Sequence, residues 1–175
     1  MTIKRVGRIT IFSLTILALA GVVSCGLSYT KVNRDSPLMP LSLSEPHATV
    51  YFMRDNNYAN MQLANNAVTI EINGKELASL SRGEYILARI IPTEGTVTIK
   101  SMSFVGGKPD PVTVSGSKTF NFAADQTSFI RIKMIDEEFR GTHFEPQRVE
   151  FNEARELARE LRAVGKARQA PIEKL

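Results

Sequence analysis

The chain has 175 residues with a formal charge of +4, from 22 basic and 18 acidic residues, and a single cysteine. One cysteine leaves no disulfide within the chain, so the fold must rest on its core. Three of the basic residues and none of the acidic ones lie in residues 1–24, which leaves the remainder at about +1 and without the clustered positive surface that nucleic acid requires.

The first element is not part of a folded domain. Lys4, Arg5 and Arg8 precede an almost wholly apolar run from Ile9 to Val23, and small residues close it at Gly21 and Ser24. A basic start, a short apolar stretch and a small-residue end is the layout of a secretory signal. The run falls short of the roughly 20 apolar residues of a comfortable membrane span. Val22-Val23-Ser24-Cys25 resembles the lipobox of bacterial lipoproteins. That resemblance implies cleavage between Ser24 and Cys25, with Cys25 as the lipidated first residue of the mature protein. Two or more acyl chains on one residue give stable membrane anchoring, where one gives only reversible binding. In enterobacteria the same resemblance implies that Gly26, a residue other than Asp, directs the lipoprotein to the outer membrane, facing the periplasm.

About 150 residues follow, the size of one domain. Residues 25–46 hold Pro37, Pro40 and Pro46 and no sustained period, and read as a lipidated N-terminus with a flexible tether. Fully extended, that tether would span roughly 65–70 Å. Residues 47–145 read as a β-domain and 146–175 as a C-terminal helix and tail.

Within the β-domain, residues 48–54 place Val50 and Phe52 on one face and Thr49, Tyr51 and Met53 on the other. Residues 67–73 alternate cleanly, with Val68, Ile70 and Ile72 on the dry side. Asn73-Gly74 predicts a tight hairpin turn into a strand carrying Leu77 and Leu80. Arg82-Gly83 predicts the next turn, leading to residues 84–91, which Pro92–Gly95 should break. Val97 and Ile99 mark the strand after it. Residues 111–115 and 118–122 read as two short runs flanking Gly116, with Phe120 and Phe122 alternating in the second. In residues 126–135, Ile130, Ile132 and Met134 oppose Phe129, Arg131 and Lys133. About seven short strands at this spacing predict a mainly β fold, an antiparallel β-sandwich of immunoglobulin-like or transthyretin-like plan. After Pro146 the period changes: Phe151, Ala154, Leu157/Ala158, Leu161 and Val164 form one helical stripe, with Asn152 as N-cap and Gly165 as stop.

The stretches at 48–55, 68–100 and 129–135 together resemble the lipoprotein domain called domain of unknown function 2846, over roughly residues 48 to 165. The shared features are a Tyr-containing first strand ending near an Arg, a hairpin around "INGKELASL", and a later strand with a short C-terminal helix. The chain departs from that pattern at Pro92-Thr93-Glu94-Gly95, where the family has a tighter Pro-Gly turn followed by a His. The resemblance implies an envelope location and a β-sandwich, and no known activity.

No catalytic constellation, metal site or cofactor site emerges. His47 and His143 stand far apart in the chain without a second His or Cys at ligand spacing. Asp136-Glu137-Glu138 reads as a solvated strand exit, and Gly106-Gly107-Lys108 lacks the rest of a phosphate loop. The surface candidate is the loop at 55–66, where Asn56, Asn57 and Asn60 surround Tyr58. Amides around an aromatic ring suit adaptable recognition, although Asn also simply favours turns. The expected partners are the membrane, through Cys25, and an envelope protein, with a glycan such as peptidoglycan as the alternative ligand of the loop.

Overall fold

The computed structural model describes residues 32–56, 66–106, 109–137 and 141–175. Two sheets face each other. One has five strands in the order β8-β7-β1-β4-β9, the other four in the order β3-β2-β5-β6. The strands are β1 (Ala48–Arg54), β2 (Val68–Ile72), β3 (Lys75–Leu80), β4 (Glu84–Ile90), β5 (Thr93–Ser103), β6 (Val112–Phe122), β7 (Thr127–Glu137), β8 (Gly141–Val149) and β9 (Arg162–Val164). A short helix, α1 (Phe151–Ala158), lies between the last two. The fold is a mainly β sandwich with a C-terminal helix, as the alternation predicts.

The inner core is built by the residues that the period of two selects. Val50 and Phe52, Val68, Ile70 and Ile72, Leu77 and Leu80, Val97 and Ile99, Phe120 and Phe122, and Ile130 and Ile132 all join one buried cluster between the sheets. The hairpin turn forms as expected, Asn73 and Gly74 adopting φ of 51° and 74°.

The sheet is not wholly antiparallel. β1 pairs antiparallel with β4 but parallel with β7, and β4 pairs parallel with β9. Such pairings join strands far apart in the chain, which local alternation does not reveal. Among the described residues nine strands form rather than about seven.

Four local expectations need correction. Pro92–Gly95 does not interrupt the strands for long, because Thr93, Glu94 and Gly95 already pair with Phe122, Asn121 and Phe120. The runs on either side of Gly116 are one continuous β6, in which Gly116 lies directly under β8. The division after Glu145 falls inside β8, which carries Pro146 opposite Ile132. β8 is an edge strand, where proline can be accommodated. Finally, the helical stripe stops at Ala158. Arg162 N–H donates to Gly83 O at 2.8 Å, and the next residues join β4 as β9. Val164 therefore turns into the inner core, while Glu150 rather than Asn152 is the N-cap. Gly165, at φ 58°, opens a 3₁₀ turn (Gly165–Arg168).

The described part of the segment read as a tether is docked. Val32 bridges Ala78 on the edge strand β3, Asn33 N–H donates to Leu77 O at 2.6 Å, and Ile91 N–H donates to Leu38 O at 2.8 Å. Val32, Leu38 and Met39 pack against the inner core. These contacts lay the segment along the sandwich as a strap.

A second core lies on the outer face of the five-stranded sheet. Tyr51, Met53, Tyr85, Leu87 and Phe129 are buried there under α1 and the C-terminal residues, with Ile172 fully enclosed. Ring centroids step across the face from Phe151 to Phe129 (5.7 Å), to Tyr51 (5.5 Å) and to Tyr85 (6.4 Å). Two hydroxyls tie down the cover: Tyr51 Oη donates to Ala170 O at 2.7 Å, and Tyr85 Oη to Glu173 Oε2 at 3.1 Å. Burial, reinforced by the Glu173 carboxylate, pushes the Tyr85 hydroxyl up to about 12, and burial also raises Tyr51 against the opposing effect of Arg89. The folded values exceed the unfolded value of about 10. The associated stability is therefore complete below about pH 10 and lost as the pH climbs through about 12. The melting temperature should fall across that window, and Tyr85→Phe should flatten part of the fall. Superimposable curves for the two proteins between pH 9 and 12 would contradict the assignment.

Candidate functional site

Of the residues singled out for lipidation and recognition, Ser24, Cys25, Asn57, Tyr58 and Asn60 lie outside the described residues. Asn56 lies within them, at the root of the candidate loop. The structure shows how both roots of that loop are held.

β1 ends in Arg54, Asp55 and Asn56, and each is secured separately. Arg54 has the parity of Val50 and Phe52 and so points inward, where it is fully buried. Its Nη1 donates to Asn66 O at 2.7 Å and to Leu80 O at 2.9 Å, and its guanidinium lies 4.8 Å from the centroid of the Phe144 ring. One side chain thus joins the far root of the loop to the end of β3 and to β8. Planar, fixed donors make arginine suited to holding two carbonyls while stacking on a ring.

Asp55, also buried, accepts from Arg131 of β7: Nε to Oδ2 at 2.8 Å and Nη2 to Oδ2 at 2.5 Å. Arg131 Nη1 reaches on to Glu153 of α1 at 3.3 Å. The hydrogen bond to Asp55 outweighs the cost of burial and raises the Arg131 pKa, so this guanidinium stays charged. Asn56 is gripped by Arg82, whose Nη2 donates to Asn56 O at 2.7 Å and whose Nε donates to Asn56 Oδ1 at 3.2 Å. The amide expected to face a ligand therefore spends its side-chain oxygen on fixing the loop. Beside this clamp, buried Glu84 accepts from Arg162 of β9 and, at 3.1 Å, from the Ser81 N–H.

The site is thus a loop emerging from a rigid base of four arginines and three carboxylates. Each of its carboxylates is engaged by an arginine. The Asp55–Arg131 and Glu84–Arg162 pairs span 76 and 78 residues and have no local sequence signal. Arg54 had one, its parity with the core residues of β1.

The other candidate groups do not converge. His47 Nδ1 lies 3.0 Å from Glu45 O at the start of β1, whereas buried His143 lies in β8 with Nε2 3.3 Å from Glu145 Oε1. Asp136 Oδ1 accepts from Thr142 Oγ1 at 3.2 Å, across the β7–β8 pair. Among the described residues, no group of three or more His, Cys, Asp or Glu side chains comes together to hold a metal ion, and no helix is long and apolar enough to cross a membrane. No protein family, curated protein or solved structure matches the chain.

Proposed function

We propose that the chain is a cell-envelope lipoprotein, anchored through lipidated Cys25 and acting as a non-catalytic interaction module that docks on an envelope protein complex. The observation that carries the anchoring is the order of parts in residues 4–25: basic residues, an apolar run, then Val22-Val23-Ser24-Cys25. Membership of the domain of unknown function 2846 lipoproteins and an outer-membrane, periplasm-facing location belong to the same proposal.

The docking surface we propose is the clamped loop. Holding both of its roots lowers the ordering cost of binding, as preorganisation does generally. The composition of the loop, with Asn57, Asn60 and Tyr58, also supports the second reading, a peptidoglycan or other glycan ligand.

Intact-mass analysis of the membrane-bound protein tests the anchor: the mature chain should begin at Cys25 and carry the added mass of acyl chains. Cys25→Ala should leave it unlipidated. Crosslinking in the envelope followed by capture of the full chain should then yield a stoichiometric protein partner that is lost with Tyr58→Ala. Enrichment of muropeptides without such a partner would replace the protein-docking reading by the glycan one.

A further inference from the structure

The docked N-terminal strap carries a loop that holds leucines out in water. Its base is firmly set: Ser36 is buried, Met39 N–H donates to Ser36 O at 2.9 Å, Leu38 and Met39 pack on the inner core, and Leu38 O accepts from Ile91 N–H. The tip is also shaped, Leu41 N–H donating to Glu45 Oε2 at 3.2 Å and Ser42 Oγ lying 2.8 Å from Ser44 Oγ. Yet Leu41 is 96% exposed and Leu43 67%, and Ile91, bonded to the same strap, is 42% exposed. A loop fixed so that it presents apolar side chains outward offers a small preformed contact surface.

The strap also shortens the leash. Val32 is already paired to β3, so only six residues lie between it and Cys25, a reach of roughly 25 Å when fully extended. A body held within that reach keeps one part of its surface close to the bilayer, far nearer than the roughly 65–70 Å of a free tether. The outer face of the four-stranded sheet is ill suited. It presents hydroxyls paired across strands, Thr96 with Thr119 and Thr98 with Ser117, each at 2.9 Å, and the Lys100–Glu71 ion pair.

We infer that Leu41 and Leu43 insert into the interfacial layer of the bilayer that holds Cys25, giving the anchored domain a second, non-covalent contact and a fixed orientation. The inference rests on the reading of Cys25 as a lipid anchor. The strap's own charges are mixed, with Arg34, Asp35 and Glu45 between Val32 and His47. The contact is therefore apolar and insensitive to salt, and does not require anionic lipid.

The test uses the full lipidated chain in vesicles of phosphatidylethanolamine and phosphatidylcholine. Lipidation occupies the only native sulfhydryl, so Ser42→Cys offers a single thiol between the two leucines for an environment-sensitive fluorophore. Ser115→Cys, on the exposed outer face of β6, serves as the reference. The label at 42 should be at least about fivefold less accessible to aqueous iodide than the label at 115, and quenched by brominated lipid. Adding Leu41→Ser and Leu43→Ser should abolish that protection without altering circular dichroism. Equal iodide access at 42 and 115 in a chain whose intact mass shows the acyl groups overturns the inference alone. Protection of a label at Phe104→Cys instead would place the opposite end of β5 at the bilayer and also overturn it. Absence of acyl mass overturns the anchor reading, and this inference with it.

Discussion

Replacing Gly116 by alanine is expected to destabilise the domain by about 2–4 kcal/mol, a fall of roughly 8–16 °C in melting temperature at about 4 °C per kcal/mol. The added Cβ would lie 2.4 Å from Phe144 O, 2.7 Å from Glu145 Cγ and 3.2 Å from Glu145 Cα. The Glu145 side chain is half exposed and can swing aside. The Phe144 carbonyl cannot, because it belongs to the backbone of β8, which is paired with β7 from Phe129↔Val149 to Glu137↔Gly141. Relief therefore requires β8 to retreat from β6, loosening the side of the sandwich where the two edges meet. Gly106→Ala is the control, since nothing lies within 4 Å of its Cβ position. Urea unfolding of both variants decides the matter, and equal midpoints would remove the close approach of β6 to β8 from the account of stability.

Arg54→Ala is the second large effect, with an expected loss of about 3–5 kcal/mol. The substitution leaves the carbonyls of Asn66 and Leu80 without these donors and empties the space beside Phe144. Arg54→Lys keeps the charge, but one ammonium cannot stack on the ring and hold both carbonyls in plane, so an intermediate loss is expected. The damage should be local first. Amide exchange should quicken at the end of β3 and around Asn66 before it does so in β5 or β6. A loss under 1 kcal/mol for Arg54→Ala, or exchange that quickens uniformly, would show that this side chain does not anchor the loop.

Much of the inner core was legible because water imposes a period of two on a strand with one dry face. Val68, Ile70 and Ile72 are the plainest case, and all three are fully buried. β1 was legible only in part: its alternation was correct, but Tyr51 and Met53 are buried as well, because residues from the far end of the chain cover them. β8 was hidden by Pro146, and β9 by a stripe in which Leu161 and Val164 continue the helical spacing by coincidence. What ends that stripe is a hydrogen bond to Gly83, some 80 residues away, which no local pattern encodes. The clamp at the loop shares this character. Its two buried carboxylates meet arginines brought by β7 and β9, so the clamp exists only once the sheet is assembled.

The two-faced burial of β1 also dictates a timetable. The groups that enclose Val50–Met53 come late: β4 supplies one edge, β7 the other, and Ile172 with its neighbours the outer lid. A chain delivered from its N-terminus at the pace of synthesis, about 5–20 residues per second, releases this strand on the order of ten seconds before its lid. For that interval its outer face stays bare even after β4 and β7 have closed its edges, and exposed apolar surface of this kind is prone to non-native association. Completion of the outer face must wait for Ile172. A nascent chain arrested before Ile172 should therefore remain bound to a holding chaperone, although all nine strands of the described residues precede that point.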